Sequence, residues 1–288
     1  MRLVTYSHDG GTALGALGDD GVRPLGSDLP GAMVELVALG DEGLDRAARA
    51  ASRAEVIPLS DVRLLAPLRP RNNIMCIGKN YREHAAEFAG SGFDASQQQA
   101  VPDHPIVFTK ALSSVVGPGD PIDVSADTTG TSDYEGELGV VIGRGGRGIA
   151  AADAFVHVYG YTIVNDMTVR EIQKRHVQFF LGKSAATYCP MGPALVTRDE
   201  VADVTALWVR TTVNGEERQA APVSDLIFDI PSLIETISAW VELEPGDMIA
   251  TGTPAGVGIG STPPRYVRPG DVVEVTVDGL GTLSNPTV

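Results

Sequence analysis

The sequence predicts a mixed, β-rich α+β fold with a small N-terminal domain. Three observations support this fold class. Short strand-like runs separated by turns recur along most of the chain, and the 33 glycines and 19 prolines imply many turns. Helix-like patterns are few and are separated by strand patterns. The length of 288 residues suits one large domain, or one domain accompanied by a smaller one.

The N-terminal region contains strands followed by helices. Short strand patterns separated by Gly and Asp turns lie at Arg2–Ser7, Gly15–Leu17 and Val22–Pro24. Residues 31–53 are rich in Ala and Leu with interspersed charges, which predicts one or two helices. The segment Pro67-Leu68-Arg69-Pro70 then interrupts the pattern. We therefore predict a boundary near residue 70, with a small domain over 1–70 and a larger one over 71–288.

The larger domain begins with a strand, a helix and a loop. Asn73–Ile77 reads as a buried strand, and a helix starts after it, with Asn80 as N-cap and Glu83 at the N3 position. The segment Gly90–Asp103 contains Gly, Ser, Gln and Pro and offers little to bury, which predicts a mobile loop. We expect Phe88–Asp103 to act as a lid that shapes the distal end of a ligand pocket.

The rest of the chain is mainly strand patterns. They lie at Ile106–Lys110, Glu137–Ile142, Val158–Asn165, Ala194–Thr197, Ala206–Val213, Met248–Thr251 and Val272–Val277. Asn214-Gly215 is a hairpin turn signal, and Pro231–Val241 predicts a helix. Gly143–Gly148 imitates a dinucleotide-binding fingerprint, but no parallel βαβ series surrounds it, so a Gly-rich turn is favoured.

Composition excludes several classes of function. The net charge of −15 argues against nucleic-acid binding, which needs clustered Lys and Arg. No run of 18 apolar residues predicts a membrane span, and the N-terminus becomes polar too early for a signal peptide. Cys76 and Cys189 have no metal-type spacing, so we expect buried free thiols in a reducing cytoplasm.

Three acidic residues form the first candidate site. Glu135 and Glu137 are two residues apart before an apolar run, so in a strand both carboxylates face the same side. Each raises the cost of ionising the other, and a cation would lower that cost. Asp166 follows about one strand later. Three acids without a cysteine predict a hard ion, Mg²⁺ or Mn²⁺, with Ca²⁺ also fitting. The alternative is an edge strand with solvated acids.

Other residues could supply acid–base and charge-neutralising groups. His84 and Glu87 are three apart, so they share a helix face, and a carboxylate beside an imidazole raises its basicity and can orient a water. Lys183 would neutralise developing negative charge in a site that holds a dication and a dianion. The Gly-rich loop Thr251–Gly258 can bind an oxyanion through its N–H groups. A surface pair, a solvated lysine and a plain turn are the respective alternatives.

Taken together, these motifs resemble the fumarylacetoacetate hydrolase family. They occur in the family's order between about residues 71 and 285: Gly78-Lys79-Asn80-Tyr81 with His84 and Glu87, Asp133–Leu138, Gly160–Arg170, Gly182-Lys183-Ser184 with Cys189–Pro193, and Thr251–Gly258. The resemblance implies a β-sandwich roll with a short N-terminal domain, a catalytic domain over 71–288, and a homodimer.

The resemblance also implies a role for each candidate residue. It places a divalent metal on Glu135, Glu137 and Asp166. His84 and Glu87 would activate water, and Lys183 would stabilise an enolate. Substrate contacts are expected from Arg170, Gln173, Thr253 and Gly252.

The function implied is metal-dependent chemistry on a small anionic keto acid. The preferred reaction is hydrolytic cleavage of a C–C bond in a 2,4-dioxo acid, of the acylpyruvate, fumarylpyruvate or diketo-deoxy sugar acid type. The same site could instead decarboxylate a β-keto acid such as oxaloacetate, or isomerise a 2-hydroxy-dienedioate. A non-catalytic metal-stabilised binding protein would be expected to have lost the His–Glu pair, which is intact here.

Overall fold

A computed structural model describes residues 1–93 and 101–288. It confirms the β-rich α+β class and the small N-terminal domain. Of the predicted lid, Phe88–Asp103, residues 94–100 lie outside the described residues, so the expected mobility and closure of that segment stay predictions.

The N-terminal region forms a three-stranded antiparallel unit followed by two helices. Its elements are β1 (Arg2–His8), β2 (Gly11–Gly18), β3 (Gly21–Pro24), α1 (Met33–Ala38), α2 (Gly40–Ala51) and β4 (Arg63–Leu64). Apolar side chains of these strands and helices pack together in one core cluster. Leu36 and Ala47, one from each helix, are fully buried there.

The larger domain supplies the remaining elements. Its strands are β5 (Ile74–Gly78), β6 (Ile106–Lys110), β7 (Val115–Val116), β8 (Ser132–Asp133), β9 (Gly136–Ile142), β10 (Val158–Asn165), β11 (Thr168–Val169), β12 (Cys189–Thr197), β13 (Trp208–Val213), β14 (Glu216–Pro222), β15 (Met248–Ala250), β16 (Val272–Val277) and β17 (Gly281–Pro286). Its helices are α3 (Arg82–Gly90), α4 (Arg170–His176), α5 (Phe180–Lys183) and α6 (Ile230–Ser238).

Two sheets pack face to face around the central strands. The larger sheet runs β3-β2-β1-β12-β10-β9-β15-β5-β6, so the N-terminal strands extend it directly. The smaller sheet runs β14-β13-β16-β17, and Val275 and Leu283 from it join one core with Val140 and Ile163. Every residue of β9 and β10 is buried. Polar side chains on these two strands are therefore held in low-dielectric surroundings, where a lone charge is costly.

Several local predictions can be compared with the structure. Asn214 and Gly215 join β13 to β14 with φ of 54° and 76°, as a type I′ hairpin turn requires. Strand β9 pairs antiparallel with both neighbours, β10 and β15, so the Gly143–Gly148 turn does not belong to a βαβ unit. Both cysteines are free and buried, and no described helix has the length and apolar character needed to cross a membrane.

The predicted capping role of Asn80 is wrong. Helix α3 has Tyr81 at its N-cap, and no side chain caps it. Asn80 is fully buried, and its side-chain amide forms hydrogen bonds with the backbone of distant residues. Nδ2 donates to the Thr251 carbonyl at 2.7 Å, and Oδ1 accepts from the Phe228 N–H at 2.8 Å. The tertiary contact satisfies this buried amide, so Asn80 fixes the helix start against the Gly-rich loop instead of capping it.

Candidate active site

The structure brings the three predicted carboxylates together. Oxygen atoms of Glu135, Glu137 and Asp166 lie within 4.8 Å of one another, and all three residues are buried. The register explains this, because Glu137 of β9 is opposite Val164 of β10, so Asp166 leaves β10 where β9 begins. The Asp166 N–H also donates to the Glu135 carbonyl at 2.8 Å, which closes the two strand ends together.

Three buried cations surround the carboxylates. Lys183 Nζ donates to Glu135 Oε2 at 2.5 Å and to Asp166 Oδ2 at 2.8 Å. The Arg170 guanidinium contacts Glu135 Oε1 at 2.6 Å, and Lys110 Nζ contacts Asp166 Oδ1 at 2.6 Å. Each cation satisfies a carboxylate oxygen that burial alone would leave costly to ionise.

The two glutamates have opposite electrostatic environments. Burial opposes ionisation of Glu135, but the neighbouring Lys183 and Arg170 outweigh it and lower its pKa to about 2. Burial, followed by the charges of Asp166 and Glu135, raises the pKa of Glu137 well above its usual range. For Lys183, burial disfavours the charged form, but the Asp166 and Glu135 carboxylates overcome it and hold the pKa above its usual value.

The donor set fits a hard divalent cation. All three candidate ligands are carboxylates, which suit Mg²⁺ or Mn²⁺ better than softer metals. Burial and the neighbouring Asp166 and Glu135 carboxylates raise the pKa of Glu137, so the ionised form of Glu137 needs further compensation. A dication beside Glu135, Glu137 and Asp166 would supply that compensation.

The predicted His–Glu pair also forms. His84 Nδ1 lies 3.3 Å from Glu87 Oε2 on the first turns of α3. The Gly256 N–H donates to both oxygens of Glu87, at 3.1 and 3.2 Å. Phe88 of the same helix packs with Val257 and Ile259 in a small separate core cluster. The helix is thus docked on the Gly-rich loop.

The Gly-rich loop uses its N–H groups differently from the prediction. We predicted that they bind a substrate oxyanion. The Gly252 N–H instead donates to Glu137 Oε2 at 2.9 Å, and the Gly258 and Ile259 N–H groups donate to Asp133 at 2.7 and 3.0 Å. Gly252 has φ of +105°, and a Cβ there would lie 2.7 Å from that of Asn80, so glycine is required. The loop orients the protein's own carboxylates.

One cleft gathers most of the predicted side chains. Its walls are Ile77, Gly78, Lys79, His84, Phe88, Phe108, Glu135, Arg170, Gln173, Phe179, Lys183 and Thr253. Gln173 Oε1 accepts from Arg170 at 3.3 Å. The Thr253 hydroxyl donates to the Gly136 carbonyl at 3.0 Å and accepts from Gln219 at 2.7 Å. Glu87, Glu137, Asp166 and Gly252 lie behind this surface.

Two buried residues of the site were not assigned from the sequence. Asp133 is fully buried and accepts from Arg170 Nε at 2.9 Å as well as from the loop N–H groups. Lys110 is fully buried and also donates to the carbonyls of Met167 and Lys183. For Asp133 the sequence held a signal, because Asp133 continues the two-residue spacing of the glutamates, whereas the contacts of Lys110 are to residues distant in sequence.

A buried carboxylate cluster and a His–Glu pair at one cleft of a β-sandwich define an enzyme-like site in the layout of a known superfamily. The chain belongs to the fumarylacetoacetate hydrolase family. The model of the fumarylacetoacetate (FAA) hydrolase C-terminal domain matches residues 73–288, and an Rv2993c-like N-terminal model matches residues 1–67.

Relatives in this family carry different activities in their names. Oxaloacetate tautomerase YisK of Bacillus subtilis is 50% identical over 267 residues, covering 89% of this chain and 86% of that protein. A fumarylacetoacetate hydrolase from Exiguobacterium antarcticum superposes with a TM-score of 0.86 at 39% identity, covering 100% and 99% of the two chains. Maleylpyruvate hydrolase from Sphingobium sp. SYK-6, in complex with manganese(II) and pyruvate, gives 0.80 at 31%, with 100% and 99% covered. The family consists of enzymes, and because these relatives are named for different reactions, membership alone does not select the reaction.

Proposed function

We propose that this protein is a divalent-metal-dependent enzyme that interconverts the keto and enol forms of oxaloacetate or a close four-carbon analogue. The observation that carries the proposal is the 50% identity, over 89% of the chain, to a protein named for this reaction. The cleft agrees with it, because its walls combine an imidazole, a carboxylate and cationic side chains. Tautomerisation therefore replaces hydrolysis, the reaction preferred from the sequence alone. It is related to the isomerisation that the sequence left as an alternative.

The metal belongs to the proposal. Glu135, Glu137 and Asp166 would hold Mg²⁺ or Mn²⁺, and the presence of manganese in the structure of the maleylpyruvate hydrolase supports that assignment. When bound, the ion would supply Lewis acidity toward the 2-oxo group of the substrate. Lys110 and Lys183 keep the ligand carboxylates in place through the short contacts at Asp166 and Glu135.

The remaining chemistry falls to side chains of the cleft. Tautomerisation moves one proton between C3 and an oxygen, so it needs a base within reach and no attacking water. His84 is the proposed base, and Glu87 orients its imidazole through the 3.3 Å contact. Lys183 neutralises the charge that develops on the 2-oxo oxygen. Arg170, Gln173 and Thr253 line the same cleft and are proposed to orient the substrate carboxylates.

Hydrolytic C–C cleavage is the second candidate. The same His84–Glu87 pair could hold a water, and a maleylpyruvate hydrolase shares the fold at 31% identity. Both reactions begin by stabilising an enolate, so the difference lies in whether His84 takes a proton from carbon or from water.

We propose a homodimer on the basis of the family resemblance.

A substrate panel distinguishes the candidates. The purified protein would be assayed with Mg²⁺, with Mn²⁺ and with EDTA. Enol-oxaloacetate ketonisation is read by the loss of its ultraviolet absorbance, and oxaloacetate decarboxylation and acylpyruvate hydrolysis are read by pyruvate release. We expect metal-dependent ketonisation to have the highest kcat/KM. Faster pyruvate release from an acylpyruvate would replace this proposal with the hydrolase.

A further inference from the structure

Gly256 is the residue of the Gly-rich loop that binds the His84–Glu87 pair. Its N–H donates to both oxygens of Glu87, and Glu87 Oε2 lies 3.3 Å from His84 Nδ1. Its φ of +101° favours glycine, and a Cβ there would overlap the carbonyl oxygen of Arg218. Glycine is therefore required at this position. Because glycine also has the greatest backbone freedom, its N–H keeps one direction only if neighbouring groups restrain it.

The Tyr134 hydroxyl supplies such a restraint. It donates to the Gly256 carbonyl at 2.8 Å. This bond holds the peptide group that follows Gly256, whereas the bonds to Glu87 hold the peptide group that precedes it. Tyr134 is fully buried and packs with Met167 and Tyr188 in a core cluster separate from the small one against α3. Tyr134 therefore anchors the loop to a part of the core that does not include the helix.

We propose that Tyr134 is a positioning residue for the His84–Glu87 pair. Its bond to Gly256 holds the Glu87 carboxylate, and so the imidazole beside it, in the orientation needed for proton transfer. The inference rests on the proposed role of His84 as base, and it adds a residue that does not itself line the cleft. Tyr134 directly precedes Glu135 in the chain, so the support for the pair originates beside the carboxylate cluster.

A second glycine offers a way to displace Glu87 without changing Tyr134. Gly260 is exposed, and its φ lies outside the left-handed region, so its backbone accepts alanine. A Cβ there would overlap Glu87 Oε1, the far end of a flexible side chain. Gly260→Ala should therefore move the carboxylate while the bond between Tyr134 and Gly256 stays intact. This variant shows how a displaced Glu87 affects His84.

The first test observes the pair by NMR and needs no turnover. The chain has five histidines, so ¹⁵N-histidine labelling gives few imidazole signals, and His84→Ala assigns those of His84. In Tyr134→Phe, which keeps the ring but removes the donor, the His84 signals should move toward their positions in Gly260→Ala. Tyr159→Phe is the matched control and should leave the signals at the parent positions. Tyr159 is buried, and its hydroxyl has no hydrogen-bond partner among the described residues.

The NMR comparison can overturn the inference in two ways. Unchanged His84 signals in Tyr134→Phe would do so, whatever reaction the enzyme catalyses. An equal shift in Tyr159→Phe would also do so, because the effect would then follow from the loss of any buried hydroxyl. If Tyr134→Phe melts below the assay temperature, para-fluorophenylalanine at position 134 replaces it, since the fluorine fills the space of the hydroxyl without donating.

The second test is kinetic and uses the proposed tautomerisation. A misoriented base should lower kcat in Tyr134→Phe by about 10- to 100-fold, while KM and Mg²⁺ affinity stay within about twofold. In a Glu87→Ala background the same change should alter kcat by less than about twofold, because the group through which Tyr134 acts is already gone. Equal factors in both backgrounds would mean that the hydroxyl acts independently of Glu87, and would overturn the inference. If no tautomerase activity is found, only the proposed reaction fails, and the NMR comparison still decides the role of Tyr134.

Discussion

Glu135 of the carboxylate cluster and His84 of the His84–Glu87 pair line the same cleft, but the cluster and the pair are held in different ways. The cluster lies at the ends of β9 and β10, whose residues are all buried between the two sheets. The pair lies on a nine-residue helix, α3, whose N-cap Tyr81 provides no side-chain bond. That helix is fixed by the bonds from Gly256 to Glu87 and by a cluster of three buried apolar residues.

The difference assigns separate tasks to the two parts of the site. We call the carboxylate cluster of Glu135, Glu137 and Asp166 the sheet end, and the His84–Glu87 pair on α3 the helix end. A carboxylate cluster fixed by strand register cannot shift without disturbing the sheets, so we expect the proposed cation and enolate chemistry to be common to proteins with this fold. A short helix docked on one loop can be repositioned at little cost to the core. We therefore expect family members with different reactions to differ at the helix end. The following predictions test that division.

The largest effect is expected at the sheet end, from Glu137→Ala. Loss of this carboxylate removes one of three candidate ligands and leaves the Gly252 N–H without its acceptor. Metal-dependent turnover should become undetectable, and calorimetry should show a large loss of Mg²⁺ affinity, on the order of 100-fold or more.

Glu217→Ala is the matched control for that change. Glu217 is an exposed glutamate on β14, so its removal should leave both Mg²⁺ affinity and activity at the parent values. Unchanged Mg²⁺ affinity in Glu137→Ala would remove the proposed metal site, and with it the idea that the sheet end fixes the cation.

The second effect is expected at the helix end, from His84→Ala. Without the proposed base, kcat should fall by about 10²–10⁴-fold, the usual range for general acid–base catalysis. Mg²⁺ affinity should change little, because none of the three candidate ligands lies on α3. His104→Ala, which alters an exposed histidine, serves as control. Parent-level turnover in His84→Ala would rule out the base assignment, and a parallel loss of Mg²⁺ affinity would contradict the independence of the two ends.

Residue spacing in the sequence carries much of the information about both the carboxylate cluster and the His84–Glu87 pair. The two-residue spacing of Glu135 and Glu137, together with a later Asp166, is enough to bring carboxylates together once both segments are strands. The three-residue spacing of His84 and Glu87 likewise requires only a helix. Strands such as Val158–Asn165 followed from uninterrupted β-branched and apolar runs, and the structure has the same bounds.

What the sequence could not show are contacts between distant segments. Lys110 meets Asp166 across 56 residues, and the Gly258 N–H meets Asp133 across 125. Nothing local distinguishes such a lysine from a solvated one, or such a loop from an oxyanion site. Asn80 illustrates the same limit, since its local pattern favours a helix cap but its amide is used by Thr251 and Phe228, which are distant in sequence.

The smallest expected effect is a difference between Glu135 and Glu137 in how their contributions to folding stability depend on pH. Burial and the charges of Asp166 and Glu135 raise the pKa of Glu137, so without a cation the folded protein binds more protons than the unfolded chain above the ordinary Glu value of about 4.3. Stability contributed by this group therefore falls as the pH rises through that window. Glu135, with its pKa lowered to about 2, loses its contribution only as the pH falls below the ordinary value, and it is constant between about pH 5 and 8.

Magnesium should reverse the loss, because it binds the deprotonated cluster and stabilises the folded state by mass action. We expect the gain in Tm on adding Mg²⁺ to EDTA-treated protein to increase steadily from about pH 5 to 8. At 100 times the Kd it should reach roughly 4–5 °C, which corresponds to about 2.7 kcal/mol in a chain of this size. Glu137→Gln, which keeps the side-chain shape without the charge, should weaken the pH dependence of the metal-free Tm. A Mg²⁺ gain of equal size at every pH would mean that Glu137 is already ionised without the metal. The cluster would then be balanced by Lys183, Arg170 and Lys110 alone, and the cation would not be needed to stabilise it.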